Sequence, residues 1–485
     1  MPALRGTPAT PVAPGMRGIP VHGGHPRPAR PEAACPHSPD RTRPHPTRRR
    51  ADRPMTKILI TAAGSYGDIA PYTGLGARLR AAGHEVALAT HDSYAALVRA
   101  AGLEFRRLPA DPRTRPAATA DTAEPGRPPG PGGNRDLMRQ AAAFIKELGG
   151  GLADAAREDT GLLLLSATTA PLGHHLAEAR GIPFLDLPLV PGAPTGDFAP
   201  VVSGGRSLGR WGNRAAGRLS LRIVDRLYAD ATRELRARLG LPPATPRTVR
   251  RRAETSGRPV LHGFSEVLVP RPTDWRPGLD VVGNWWPWHA PDDRLPPVVE
   301  DFLAAGPPPV FLGFGSMAGG EGERLSTLAA AALRRAKVRG ILQSGWAGLS
   351  VGHTSADADL LTIGEVPHAL LFPRMAAVVH HCGAGTAAAG VRAGVPTIPV
   401  PVTADQPFWA ARLASLGVAT APIPFKELSG DRAVARLSQA ITQATAAPAR
   451  RDHARAAAHR LAAEDGAGEV LKAVERLAET AHPAG

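Results

Sequence analysis

From Lys57 onward the chain alternates short apolar runs with amphipathic stretches, and no other feature narrows its possible folds so far. KILITAAG reads as a buried strand entering a glycine turn, GSYGDIAP, and PYTGLGARLRAAGH as an amphipathic helix closed by Gly83. EVALATH with SYAALVRAAG, and GLLLLSATT with LGHHLAEARG and IPFLDLPL, repeat the pattern. Such alternation is satisfied by a parallel sheet covered with helices on both faces, so the fold class is α/β.

Two breaks interrupt the pattern. Residues 111–135, DPRTRPAATADTAEPGRPPGPGGNR, form a Pro/Gly-rich loop too long for a plain connector. Residues 285–297, WWPWHAPDDRLPP, hold three of the seven tryptophans and read as a domain linker, its tryptophans either lining a ligand cleft or packing at a domain seam. Alternation then resumes through PPVFLGFGSM, RGILQSGW, LLTIGEV, AAVVHH and PTIPVPV. The sequence therefore predicts a tail over 1–54, a first domain over 55–284, a linker over 285–309 and a second domain over 310–485. Two doubly wound domains in series would face each other across a cleft at the carboxyl ends of their strands.

Charge suggests a polyanion partner until it is mapped. The net charge is +15, yet residues 1–54 alone hold ten Arg against Glu32, Asp40 and Asp52, so nearly half the excess lies in a segment with 13 prolines and little apolar periodicity. Such a segment cannot bury enough surface to offset its ordering entropy and is expected to be disordered. One reading is an arm for nucleic acid or a membrane surface; the favoured one is an inert segment with Met55 as the true start, since no aromatic residues interleave its arginines. No nucleic acid is expected as partner, and at most peripheral membrane contact, because no apolar run approaches the ~18 residues of a spanning helix. The two cysteines, Cys35 and Cys382, exclude a disulfide framework and suit a cytoplasmic location.

Chemistry concentrates in VVHHCGAGTAAAGVRAGVPTIPVPVTADQ, residues 378–406. AAVVHH reads as a strand carrying His380 and His381 at its end, CGAG as a tight turn, and TAAAGVRAG as a helix opening at Thr386. A glycine turn running into a helix N-terminus suits a phosphate, with His381 as an added donor. The next strand, PTIPVPV, delivers Asp405 and Gln406 to the same rim, where a carboxylate beside a carboxamide suits sugar hydroxyls. The two halves together suit a nucleotide-activated sugar. A Walker loop is excluded by the missing lysine, and the dinucleotide fingerprint by the spacing of Gly383, Gly385 and Gly390, which leaves Asp92 little support as a ribose-binding acid. A zinc site at His380 and His381 is disfavoured, because neighbours on a strand point to opposite faces.

HHCGAGT followed by AGVPTIPVPVTADQPFWAARLASLGVA resembles the donor signature of family 1 glycosyltransferases, inverting enzymes of the GT-B fold that use nucleotide-diphosphate sugars. ITAAGSYGDIAPYTGLGARLRAAGHEVALATH, APTGDF at 193–198 and EVPHALLFPRMAAVVHHCGAGT extend the likeness over most of residues 55–420, nearest to the bacterial branch resembling sterol 3-beta-glucosyltransferases and antibiotic glycosyltransferases of the glycopeptide and macrolide kind. The resemblance implies that His381, Gly383, Ala384, Gly385 and Thr386 hold the diphosphate, that Asp405 and Gln406 hold the sugar, and that Ser316 lies on the phosphate side. It sets Trp346 and Val366 beside the base and ribose, with a packing role for Trp346 left open. It also implies Asp68 as catalytic base, a role preferred to that of a helix cap. Tyr66 stands where the branch commonly has Arg, Cys382 where it often has Gly, and Ala387 where a second Thr is usual.

The expectation is an inverting hexosyltransferase that moves a sugar from UDP-glucose or a UDP- or TDP-deoxysugar to a hydroxyl of a small apolar acceptor, without a metal or other cofactor. Asp357 and Asp359, a D-x-D, read as a solvated loop, and His174 and His175 as ordinary packed or exposed histidines. A sugar-nucleotide epimerase of the same plan and a non-catalytic helper of a partner transferase are the alternatives.

Overall fold

The structure, a computed structural model, describes residues 55–109, 111, 133–204, 206–315, 321–345, 348–350 and 358–481. The expected tail, most of the 111–135 loop, Ser316, Trp346 and Asp357 lie outside the described residues.

Among the described residues, twelve strands form two sheets. The first is built from β1 (Lys57–Thr61), β2 (Glu85–Thr90), β3 (Glu104–Arg107), β4 (Leu162–Leu165), β5 (Phe184–Asp186), β6 (Val260–His262) and β7 (Leu279–Val281), in the order β3-β2-β1-β4-β5-β6-β7. The second is built from β8 (Val310–Gly313), β9 (Gly340–Gln343), β10 (Leu360–Ile363), β11 (Ala377–His380) and β12 (Thr397–Pro399), in the order β10-β9-β8-β11-β12. All of these pairings are parallel. The predicted α/β class, two doubly wound sheets, is what the chain forms.

The period-two alternation of strands explains why apolar runs such as LLLL of β4 are buried throughout. Ile58, Ile60, Leu162 and Leu164 enter the core on one face of the first sheet, while Leu59, Leu163 and Leu165 enter the core on the other. In the second sheet Val310, Leu312 and Val379 take one face, and Phe311 and Val378 the other. Each such side chain contributes roughly 1.5–3 kcal/mol when fully buried.

A further core belongs to neither sheet. The segment after β6, with Phe264 and Val267–Val269, packs on Ala387, Ala388 and Val391 of the helix Ala384–Arg392 and on Phe408, Trp409 and Leu413 of the helix Gln406–Ser415. Arg412 Nε adds a 2.7 Å hydrogen bond to the Leu268 carbonyl. Of the linker's tryptophans, Trp286 packs on this core under the Arg392 guanidinium, whereas Trp285, buried against Tyr72, and Trp288 join the core of the first sheet. The expected second domain, 310–485, also includes a helix that leaves it. Val470, Ala473 and Val474 of the helix Gly466–Ala481 join Ile58, Ile60 and Leu75 in the first sheet's core, because that helix's apolar stripe has its matching face there.

Candidate functional site

The site grows from the point where strand order reverses in the second sheet, between β8 and β11, a crevice that open parallel sheets use for ligands. The loops leaving these two strands touch. A Cβ added to Gly315, after β8, would lie 2.9 Å from the His381 ring, and one on Gly383 only 2.8 Å from His381 Nε2. Glycine at both positions thus leaves room for the imidazole, and Gly315 also takes a left-handed backbone, φ +57°.

The helix after β11 opens at Ala384, with Gly383 as its N-cap, two residues before the expected start at Thr386. Its ladder begins with the 2.9 Å bond from Ala387 N–H to the Gly383 carbonyl, so the N–H groups of Ala384, Gly385 and Thr386 precede the ladder. The turn itself differs from the glycine turn of the sequence reading. The residue in the left-handed region is Cys382, φ +64°, whose N–H donates to His380 Nδ1 at 3.0 Å, whereas Gly385 borders open space. Ala404, φ +56°, makes the matching strained step at the tip of β12, directly before Asp405. Each such non-glycine step costs about 1–2 kcal/mol, a strain that concentrates on the two residues preparing the site.

Burial lowers the pKa of His381 to about 4 against the pull of the Gly313 carbonyl, and burial with the neighbouring His381 charge lowers those of His368 and His380 to about 4 and about 3. The rim is therefore lined by neutral imidazole at pH 7. His380 is fully buried, whereas His381, just beyond the strand, is half-buried beside Gly315 and Gly383. Val366 is half-buried after β10 against the core that holds Phe311 and Phe372.

Asp405 caps the helix Gln406–Ser415, and its Oδ2 accepts from Trp409 Nε1 at 2.7 Å. Gln406 is buried, with its Oε1 committed to the N–H groups of Val402 and Thr403 at 2.8 and 3.2 Å. Its oxygen holds the turn, which leaves only the amide nitrogen for a ligand.

Opposite stands the rim of the first sheet. The helix after β1 spans Tyr66–Ala81 and starts inside the stretch read as a turn, because Ser65 and Asp68 form a capping box. Asp68 Oδ2 accepts from both Ser65 N–H and Ser65 Oγ at 2.8 Å, leaving Oδ1 outside these bonds. The expected alternatives of cap and base thus fall on different oxygens of one carboxylate. Gly64, φ +140°, is required here, since a Cβ would meet Asp68 Oδ2 at 2.5 Å. Asp68 is exposed to solvent, yet the protein crowded around it raises its pKa over the opposing bonds from Ser65 and the charge of His91. Both hold for a group lining a crevice: water reaches it, but most of its surroundings are protein.

The two rims interact electrostatically. Asp405 has its pKa raised first by burial and also by the charge of Asp68, and Tyr66 has its pKa raised by burial and by Glu365. Phe198, in the APTGDF segment, packs 5.2 Å from Phe408, one turn from Asp405. The cleft thus brings together Asp68, His381, Gly383, Ala384, Gly385, Thr386 and Asp405.

His91 escaped the sequence reading. It is fully buried at the end of β2, and its Nε2 accepts the Gly64 N–H at 3.0 Å, fixing the turn that carries Asp68. Its place at the carboxyl end of a strand next to β1 was the available signal. Asp92 instead pairs with Arg107 at 2.7 Å on the exterior. His174 pairs with Asp186 at 2.8 Å, His175 is buried beside Arg236, and Asp359 lies 3.7 Å from Arg339. No group of three or more His, Cys, Asp or Glu with metal-binding geometry occurs among the described residues.

The chain is similar to known proteins over most of its length. The glycosyltransferase family 28 N-terminal domain profile matches residues 58–192, and that of the erythromycin biosynthesis protein CIII-like C-terminal domain matches residues 351–477. A sterol 3-beta-glucosyltransferase of Arabidopsis thaliana is 36% identical over 392 residues, covering 78% of this chain and 59% of that protein. The chain thus spans less than two thirds of that relative. The O-mycaminosyltylonolide 6-deoxyallosyltransferase of Streptomyces fradiae is 36% identical over 437 residues, covering 87% of this chain and 98% of that protein. Among solved structures, the glycosyltransferase of kitacinnamycin superposes with a TM-score of 0.65 at 19% identity, covering 87% of this chain and 99% of that one. VinC, solved with dTDP, superposes at 0.58 and 20% identity, covering 88% and 100%. These structures share the GT-B fold, and on its sequence relatives the chain belongs to the glycosyltransferase family that includes sterol 3-beta-glucosyltransferases and antibiotic glycosyltransferases.

Proposed function

We propose that this protein is an inverting, metal-independent O-glycosyltransferase that moves a sugar from a nucleoside diphosphate sugar to the hydroxyl of a small apolar acceptor. The observation that carries the reading is the helix N-terminus at Ala384, whose cap Gly383 leaves room for the His381 ring beside it. The N–H groups of Ala384, Gly385 and Thr386 and the His381 imidazole would hold the diphosphate. Asp405 and the Gln406 amide nitrogen would hold the sugar hydroxyls, Val366 would pack near the nucleoside, and Ser316 and Trp346 keep the roles the family resemblance implies.

Asp68 would accept the acceptor's proton as the hydroxyl oxygen attacks the anomeric carbon. The bond from that carbon to the diphosphate oxygen breaks, and its electron pair leaves with the diphosphate. Attack from the face opposite the leaving group inverts the centre in one displacement. Fixed donors at the helix terminus meet the charge that develops on the departing diphosphate without reorganising. A neutral His381 adds a hydrogen bond without a net charge, so the helix terminus would carry the electrostatic stabilisation of the diphosphate.

The acceptor class rests on the relatives, whose names specify a sterol and O-mycaminosyltylonolide. Incubation with a panel of UDP- and dTDP-sugars plus apolar alcohols, in the presence of EDTA, tests the whole reading. A product heavier by one hexose or deoxyhexose, with inverted anomeric configuration, is expected. Isomerised nucleotide sugar with no adduct would point to an epimerase, and loss of transfer with EDTA would contradict metal independence.

A further inference from the structure

Of the ten most exposed large apolar side chains among the described residues, six lie between 202 and 224: Val202, Leu208, Trp211, Leu219, Ile223 and Val224. Trp211 is 86% exposed, Leu208 65% and Leu219 56%, so more than half of each residue's surface faces solvent. The helix Gly209–Leu227 orders most of them. Trp211, Ala215, Leu219 and Ile223 recur every four residues, and so do Arg210, Arg214, Arg218, Arg222 and Arg226 one position earlier. Residues four apart lie on one ridge of a helix, so an apolar ridge runs beside an arginine ridge.

The opposite face is spoken for. Asn213 and Gly217 are buried, and a Cβ on Gly217 would meet Pro194 at 2.9 Å. Arg210 and Arg214 tie the helix down through Asp197 and Asp274. Arg218, Arg222 and Arg226 take part in no ion pair among the described residues. Arg222 and Arg226 line a groove of about 750 Å³ that also receives Arg233 and Arg247.

We infer that this face docks the protein on an anionic lipid bilayer, with Leu208, Trp211, Leu219 and Ile223 entering the headgroup–acyl boundary and Arg218, Arg222 and Arg226 meeting lipid phosphates. Exposed Trp and Leu beside a row of arginines match what an interfacial helix needs. A second copy of the chain fits poorly, because an isologous contact would bring two arginine ridges together. A nucleic acid would gain nothing from the aliphatic part of the ridge. The face also begins at the cleft: Arg210 packs on Gly196 and pairs with Asp197, and the next residue, Phe198, touches Phe408 beside the Asp405 turn. A bilayer-dissolved acceptor would meet the site without crossing water, a consequence that rests on the proposed reaction, whereas the docking itself does not.

Co-sedimentation of the full chain with vesicles tests this, with thermal unfolding of each variant as the check on folding. The parent is expected to sediment with phosphatidylcholine–phosphatidylglycerol vesicles, weakly with phosphatidylcholine alone, and to be released by salt. The triple variant Arg218→Gln, Arg222→Gln, Arg226→Gln should lose about fivefold in partitioning per arginine, on the order of 100-fold in all. Trp211→Ser with Leu219→Ser should lose about tenfold or more. The inference is overturned if the parent ignores anionic vesicles. Parental binding by both variants would overturn it too, assigning retention to the arginines of residues 1–54. A parental dimer made monomeric by Trp211→Ser with Leu219→Ser would assign the face to self-association instead.

Discussion

The rims of the two sheets are built differently although both are parallel and doubly wound. On the second sheet the site is mostly backbone: a helix terminus, two left-handed steps at Cys382 and Ala404, and glycines that make room for one buried imidazole. On the first sheet it is one carboxylate, Asp68, held by a single cap and supported from behind by His91 through Gly64. A rim made of backbone can bind a group common to many substrates. A rim made of one side chain, with its remaining walls drawn from distant segments, can carry the chemistry while those walls vary.

The sharpest way to break this contrast is Asp68→Asn. It should lower kcat by about 10²–10⁴-fold while leaving donor affinity within about twofold. Asn can still accept the Ser65 N–H, and a charge that the crevice disfavours is removed, so stability should stay within about 1 kcal/mol by thermal unfolding. In the parent, kcat/KM should rise with pH along a limb lying above the ordinary carboxylate range, since burial raises the pKa of Asp68 and the base must be ionised. A limb at the ordinary position would remove Asp68 from the role.

Gly383→Ala probes the other rim. Its φ of −59° suits alanine, so the cost is the 2.8 Å approach to His381. A destabilisation of about 1–3 kcal/mol and a donor Kd weaker by about tenfold are expected in calorimetry, with the acid limb of the rate unmoved.

The buried histidines of the second half give a stability signature. The pKa values of His368 and His381, about 4, lie below the 6.5 of an unfolded chain, so the unfolded state binds protons first as pH falls. Stability from these groups is complete above pH 6.5 and is lost as pH drops toward 4. Replacing His368, which stacks on Phe372, by Phe should flatten the fall of the unfolding midpoint by about one proton, on the order of 2 kcal/mol across the window. The smallest effect is expected from Cys382→Gly. Relief of the left-handed strain is offset by loss of a buried side chain, so stability should change by no more than about 1 kcal/mol with donor binding intact.

These differences also explain what was legible in the sequence. Both sheets could be read because fully buried strands such as LLLL and AVVH leave an apolar signal, and the glycine turn and helix start of the second sheet's rim could be located because the parts lie within thirty residues of one another. The helix starts at Tyr66 and Ala384 were read late, since glycine in GSYGD and CGAG looks like a turn when a cap is what those residues supply. His91 went unnoticed because its partner, Gly64, is 27 residues away and bonds through its backbone. The seam core and the return of the final helix to the first half depend on contacts that local patterning does not encode, such as Val474 with Ile58. The exposed helix 209–227 was passed over for a related reason: its four-residue ridges reveal an outer face only once the buried side is known.

Titration of UDP and dTDP by calorimetry into the parent, His381→Ala and Asp68→Asn tests the central claim most directly, that the diphosphate is held at the second sheet's rim and the base at the first. The predicted result is one site per chain for the parent, binding weaker by about 10- to 100-fold for His381→Ala, and parental binding for Asp68→Asn. Parental affinity in a folded His381→Ala variant, or loss of binding in Asp68→Asn alone, would contradict it.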